Sequence, residues 1–153
     1  MNKAIIVDID GTIADAKHRL HFIRDKKKKD YDKFFDAMGE DPPMMSVIEM
    51  IVVLSEHYEI IFVTGRPESH RQMTLDWMER HAPVLWLKAQ LNLHMRPTGN
   101  YKPDTQIKRS AYHYYIKPNY HIVGVFEDRK SVVDMWRKLG LTVYQVDDWE
   151  ESK

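Results

Sequence analysis

The segment Asp8-Ile9-Asp10-Gly11-Thr12 carries two carboxylates two residues apart, directly after the apolar run Lys3–Val7. Alternate side chains of an extended chain point the same way, so Asp8 and Asp10 can share one site. Gly11 and Thr12 then allow a tight turn. A second cluster, Thr64-Gly65-Arg66, follows the apolar run Glu59–Val63 and precedes a helical pattern. A hydroxyl, a glycine and a guanidinium at a helix N-terminus favour an anion, because free backbone N–H groups and the helix dipole converge there. The third cluster, Glu127-Asp128, ends the run His121–Phe126. Adjacent carboxylates in a chain that already offers two more suit a hard divalent cation with oxygen ligands. Mg2+ fits, since it needs only one or two carboxylates plus water and phosphate.

All three clusters close a short apolar run, and that placement defines the elements around them. Continuous rather than alternating apolar character predicts strands buried on both faces, as in a parallel sheet. Leu141–Val146 alternates more and reads as an edge strand, and Val84–Leu87 makes a weaker fifth. Helical patterns lie between the runs: Ser46–Leu54, Glu68–His81 with Trp77 and Met78 on one face, Asp104–Ile116, and Ser131–Leu139 closed by Gly140. Strands alternating with helices give a mainly parallel α/β fold with helices on both sheet faces. Ligands of such sheets bind beyond the carboxyl ends of the strands, where all three clusters fall. Residues 13–43 contain no strand of this type and read as a small cap-like insertion after the first strand.

Composition sets the outer bounds. The 153 residues predict one domain over 1–153, and a chain of this size buries roughly 68–70% of its unfolded surface. No cysteine is present, which removes disulfides, zinc–thiolate sites and thiol nucleophiles together. The first apolar run is too short for a signal peptide or a membrane span, so a cytoplasmic location and no membrane partner are expected. Lys+Arg and Asp+Glu both number 23, a balance that argues against coating nucleic acid by bulk charge. The balance is local nonetheless. Lys17–Lys33 holds eight Lys+Arg against three Asp, and Asp147–Glu151 holds four acids.

The three clusters together resemble the motif set of the haloacid dehalogenase (HAD) phosphohydrolases, over nearly the whole chain. The resemblance implies a HAD-like fold in which Asp8 is the nucleophile that becomes an aspartyl-phosphate. Asp10 would be the general acid and then the base, and Thr64 would hydrogen-bond the phosphoryl group. Mg2+ would sit between Asp8, the Asp10 backbone carbonyl and Asp128, with Glu127 nearby. Each part has a physical purpose. An aspartate attacking a phosphate dianion meets repulsion on the order of 4 kcal/mol per unit pair at about 4 Å near a surface. A metal ion and cations offset it. Asp10 can act as an acid only with a raised pKa, which crowding by Asp8 would favour. The family's lysine falls to Lys102 or Lys108, and Lys108 is preferred because it lies in the first turns of a helix starting near Asp104. Asp104 can pair with Lys108 four residues on, or cap the helix.

The stretch Leu93–His113 (LHMRPTGNYKPDTQIKRSAYH) and the stretch Val123–Val146 resemble, more narrowly, the 3′-phosphatase domain of phage-type polynucleotide kinase-phosphatases. By that resemblance Arg19, eleven residues beyond Asp8, and Arg66 serve the phosphate with Gly65 and Asp104. The implied reaction is removal of a 3′-phosphate from a DNA or RNA end, with a separate kinase or ligase as a possible functional partner. No GxxxxGK[ST] occurs, so kinase activity is not expected from this chain. A 5′(3′)-deoxyribonucleotidase or other small-metabolite phosphatase shares similar motifs, and a catalytically idle binding module is the reading from another class.

Other residues carry blander expectations. His18 and His21 lack a zinc spacing. Trp77, Trp136, Tyr114 and Tyr115 read as packing residues, and Met44, Met45 and Met50 as gap-fillers. The Lys26–Lys29 run reads as a solvated face.

Overall fold

The computed structural model describes residues 1–24 and 27–149. Lys26 of the lysine run and Glu150 and Glu151 of the acidic run lie outside them. Five strands form one sheet: β1 (Asn2–Val7), β2 (Glu59–Pro67), β3 (Leu93–Arg96), β4 (Tyr120–Arg129) and β5 (Val143–Trp149). The order is β3-β2-β1-β4-β5, and every pairing is parallel. The seven α-helices are α1 (His21–Arg24), α2 (Tyr31–Asp36), α3 (Met45–Leu54), α4 (Arg71–His81), α5 (Pro83–Ala89), α6 (Asp104–Ala111) and α7 (Lys130–Lys138), counted among the described residues.

Strand alternation divides the core in two. In β1, Ile5 and Val7 pack with Ile60, Phe62, Trp77 and Leu85 on one face, under α3, α4 and α5. Ala4 and Ile6 pack with Ile61, Val63, Val132 and Trp136 on the other, under α6 and α7. Both faces are covered, which is why the runs are continuously apolar. β1, β2 and β4 lie side by side at the centre, so the residues that end them come together at one edge. β5 is an edge strand, as the alternation predicts.

Three expectations are corrected. Val84–Leu87 is not a strand but the middle of α5, where Leu85 and Ala89, four apart, are buried and Val84 and Leu87 face out. A four-residue apolar run cannot distinguish strand from helix, and Pro83 at the first helical position decides it. The fifth strand is Leu93–Arg96, with alternating burial at the opposite edge of the sheet. Tyr114 and Tyr115 are 75% and 63% exposed, because α6 is followed directly by a π-helical turn, Tyr112–Ile116. The wider turn rotates the face, so Tyr112 and Ile116 point inward instead. Met45 and Met50 are exposed rather than filling gaps, since α3 buries only Ile48 and Ile51 fully. Trp77 and Trp136 are core residues as expected.

Among the described residues of 13–43 there is no strand. They form a 3-10 turn (Lys17–Arg19), α1, α2 and a second 3-10 turn (Ala37–Glu40), and the two ends of the segment meet, with Met44 N donating to Ile13 O and Asp15 N to Pro42 O, both at 2.8 Å. No helix among the described residues is long and apolar enough to cross a membrane. Ile61 is fully buried at the centre of the sheet, paired in register with Ile6. Ile61→Ala is expected to cost about 2–5 kcal/mol in urea unfolding, and a loss well below that range would show that this layer is not part of the close-packed core.

Candidate active site

The chain leaves β1 at Asp8 and curls at once. Thr12, Ile13 and Ala14 donate backbone bonds to Ile9 O at 3.1, 2.9 and 3.1 Å. Gly11 makes this possible in two ways. Its φ is +79°, and a Cβ there would lie 1.9 Å from Asp128 Oδ2. The β1 loop and the end of β4 therefore pack closely enough for their carboxylates to meet.

Asp8, Glu127 and Asp128 are all buried, and each offers a carboxylate oxygen within 4.8 Å of the others. Lys108, from the second turn of α6, enters this group: Nζ donates to Asp8 Oδ1 at 2.8 Å and to Glu127 Oε2 at 3.0 Å. The Thr12 hydroxyl lies within donating distance of Asp8 Oδ2 (3.2 Å) and Asp128 Oδ1 (3.3 Å). Three buried acids against one buried base are short of positive charge. Burial, and then the charge of Asp8, push the Glu127 and Asp128 carboxyls well above the usual carboxylate range, and Lys108 only partly opposes this. For Lys108, burial lowers the pKa but the charges of Asp8 and Glu127 outweigh it, and the net shift is upward. A compact, oxygen-only, under-neutralised group of this kind fits a hard divalent cation, so Mg2+ and these residues are compatible.

The Asp10 carboxylate belongs to a different set. Its Oδ1 accepts from Arg19 NH2 (2.6 Å), Arg66 NH2 (2.6 Å) and Arg66 Nε (3.1 Å). Both guanidiniums are fully buried. Burial alone would raise the Asp10 pKa, but Arg66 and Arg19 outweigh it and hold the carboxyl below its ordinary range. This corrects the expectation of a pKa raised by Asp8. The two arginines dominate, and the Asp10 carboxylate is not part of the three-acid group. A fourth charge completes the set. Asp41 Oδ2 accepts from Arg19 NH2 (2.8 Å) and Arg66 NH2 (3.2 Å), and Asp41 Oδ1 from Arg19 Nε (2.8 Å).

Thr64 is buried within β2, and its Oγ1 accepts from Arg66 N at 3.1 Å. Gly65 lets Asp104 approach, since a Cβ there would lie 2.5 Å from Asp104 Oδ1. Asp104 neither caps α6 nor pairs with Lys108. Its Oδ1 accepts from Arg96 NH2, and its Oδ2 from Arg129 NH1 at 2.6 Å. These two cations, supplied by β3 and β4, out-compete the lysine one turn along the same helix. Arg96 Nε also donates to Gly65 O at 2.9 Å, which joins β3 to β2 at the rim of the site.

Asp8, Lys108, Glu127 and Asp128 thus form one group, Asp10, Arg19 and Arg66 a second, and Gly65 and Asp104 a third. Asp41, Arg96 and Arg129 were not singled out from the sequence. Arg129 follows Glu127-Asp128 directly and could have been noticed there, and Asp41 is the acid before Pro42-Pro43. Arg96 carries no signal beyond its place in the stretch Leu93–His113.

The profile of the polynucleotide kinase PNKP phosphatase domain, a HAD family, matches residues 2–150. The chain belongs to that family. It is 29% identical over 147 residues to a bifunctional polynucleotide kinase/RNA ligase of Autographa californica nuclear polyhedrosis virus, covering 94% of this chain and 19% of the viral protein. Among solved structures it resembles a chain of the Pnkp1/Rnl/Hen1 complex, with a TM-score of 0.76 and 27% identity over 98% of this chain and 47% of that one. The class C acid phosphatase from Bacillus anthracis shares the fold at a TM-score of 0.64 and 16% identity, over 99% of this chain and 70% of the other. The chain therefore spans less than half the length of its nearer relatives among these.

The raised carboxyls have a measurable consequence. Without metal, Glu127 and Asp128 hold protons more tightly folded than unfolded. The stability they allow is greatest below the ordinary carboxylate range and falls as pH rises through the raised values. A bound cation displaces those protons, so its stabilisation grows with pH. The Tm gain from saturating Mg2+ is expected to be larger at about pH 8 than at about pH 6. A gain that is absent, or larger at the lower pH, would contradict the three-acid cation site.

Proposed function

We propose that this chain is a Mg2+-dependent phosphomonoesterase that removes 3′-phosphates from nucleic-acid ends through a phosphoryl group carried on Asp8. The observation that carries the reading is Lys108 Nζ bonded to both Asp8 and Glu127, inside a buried acidic group at the carboxyl edge of the sheet. Asp8, Glu127 and Asp128 would hold the ion with the Asp10 backbone carbonyl. Both Glu127 oxygens are engaged, Oε2 by Lys108 Nζ at 3.0 Å and Oε1 by Arg129 N at 3.4 Å, which leaves Asp128 as the more direct ligand. When bound, Mg2+ supplies positive charge that offsets repulsion between carboxylate and phosphate.

The chain's own residues account for the rest. An Asp8 oxygen attacks phosphorus, and the bond from phosphorus to the 3′ oxygen breaks. The leaving oxygen takes a proton from Asp10 Oδ2. Water then attacks the phosphorus of the acyl-phosphate and gives its proton to Asp10, which releases inorganic phosphate and restores the Asp8 carboxylate. Lys108 stays cationic beside Asp8 and faces the charge that develops on the phosphoryl oxygens. Thr64, on the neighbouring strand, supplies a hydroxyl for the same group. The ion pairs hold Asp10 ionised, which suits its role as base and opposes its role as acid. The proton it gives is therefore one that the substrate's phosphate monoanion brings to Oδ2, where it leaves the bonds to Oδ1 in place.

Family membership supports a nucleic-acid end as substrate, and relatives named as a kinase/ligase and as part of a Pnkp1/Rnl/Hen1 complex support work alongside a kinase or ligase. A 3′-phosphorylated oligonucleotide is expected to be dephosphorylated faster than its 5′-phosphorylated isomer and faster than free nucleotides. Equal rates, or a preference for mononucleotides, would favour the nucleotidase reading. Asp8→Asn is expected to lower turnover by at least about 10³-fold without unfolding the chain, and chelation of Mg2+ to stop it reversibly. Unchanged turnover in Asp8→Asn would rule out the aspartyl-phosphate route.

A further inference from the structure

The two arginines that hold Asp10 both use one of its oxygens. Arg19 NH2, Arg66 NH2 and Arg66 Nε all donate to Oδ1. Asp10 Oδ2 has no hydrogen-bond partner among the described residues, and the Asp10 side chain is 28% exposed. Two buried guanidiniums beside a single carboxylate would ordinarily engage both of its oxygens, since fork-to-fork pairing is the strong geometry. Something must occupy the remaining donors.

Asp41 occupies them. Its carboxylate is fully buried and takes Arg19 in the two-pronged arrangement that Asp10 does not receive: Nε to Oδ1 at 2.8 Å and NH2 to Oδ2 at 2.8 Å. Arg66 NH2 splits its two protons between Asp10 Oδ1 (2.6 Å) and Asp41 Oδ2 (3.2 Å). Each NH1 makes one further bond, Arg19 NH1 to Phe34 O at 3.3 Å and Arg66 NH1 to Thr74 Oγ1 at 3.1 Å. Two carboxylates against two guanidiniums also leave the quartet neutral, which its burial requires.

Asp41 is itself fixed from several sides. Trp77 Nε1 donates to its backbone carbonyl at 2.8 Å, which ties it to the core, and His18 Nε2 lies 2.6 Å from Oδ1. The following Pro42 excludes the helical region for Asp41, whose backbone is extended (φ −61°, ψ 129°) and ends the 3-10 turn Ala37–Glu40. Residues 13–43 thus contribute two of the four charges, Arg19 and Asp41, and hold them against two supplied by the sheet edge.

We propose that Asp41 is a positioning residue that keeps both arginines on one oxygen of Asp10 and leaves the other free to give and take the substrate's proton. This rests on the reading of Asp10 as the acid and base of the reaction. Without the Asp41 charge, the freed Arg19 Nε–NH2 edge closes on Asp10 Oδ2 and blocks it. Binding of substrate and attack by Asp8 do not pass through that oxygen.

The test compares leaving groups that do and do not need a proton. A 3′-oligonucleotide oxygen leaves as an alkoxide and must be protonated, whereas p-nitrophenolate leaves without one. In the full chain, Asp41→Asn is expected to lower kcat on a 3′-phosphorylated oligonucleotide by about 30-fold. Its first-turnover burst of p-nitrophenolate should fall by only about threefold, and KM for the oligonucleotide should move little. Asp41→Glu keeps the charge while shifting it, so it guards against misfolding of the asparagine variant, and the same selective loss is expected at smaller amplitude. A variant that is unaffected, or that loses both reactions equally, would overturn the positioning role. A wild type inactive on both substrates would instead refute the proposed function, and this role with it.

Discussion

The controlling constraint is the burial of charge at the carboxyl edge of the sheet. Among the described residues, seven of the ten buried polar or charged side chains (Asp8, Arg19, Asp41, Arg66, Lys108, Glu127 and Asp128) are ionisable and belong to two adjoining sets at the site. Isolated charges in such surroundings are prohibitively costly, so each must be matched. The two sets are matched differently. The arginine–aspartate quartet is neutral, and each of its guanidinium nitrogens donates to an acceptor. The acidic group around Asp8 is incomplete, with one lysine among three carboxylates. That asymmetry sets the division of labour, because a neutral set can hold a group in place while an under-neutralised set attracts cations.

The fold exists to bring these sets together. A parallel sheet with the order β3-β2-β1-β4-β5 puts the three motif-bearing strands side by side at its centre, so residues more than a hundred positions apart become neighbours. Two glycines allow the last approach. Gly11 leaves room for Asp128, and Gly65 leaves room for Asp104. The segment 13–43 contributes Arg19 and Asp41 to the quartet and packs Ile13 and Ala14 into the core beside β1.

Much of this arrangement can be read from the sequence, for a physical reason. Asp8, Asp10, Thr64, Arg66, Glu127 and Asp128 each sit within a few residues of a continuous apolar run, and parallel topology turns that local fact into a shared location. Lys108 was legible because its helix has a recognisable start. Asp41 was not, since its meaning depends on how the segment 13–43 folds, and that segment has no strong periodicity. Asp104 was placed on the right element and given the wrong partner, because one-helix spacing cannot see Arg96 and Arg129 arriving from the sheet. The misread strand at Val84–Leu87 and the misread face of Tyr114 and Tyr115 share a cause. Short apolar or aromatic runs carry little phase, and a proline or a single π-turn resets it.

The central claim is that Asp8 carries the phosphoryl group between the two half-reactions. Acid-quenching the protein during turnover of a 3′-phosphorylated oligonucleotide, followed by peptide mapping by mass spectrometry, tests it most directly. One phosphoryl group is expected on the peptide containing Asp8, formed within the first turnover and lost once the substrate is exhausted. A phosphoryl adduct on another residue, or active enzyme that never carries one, would contradict it.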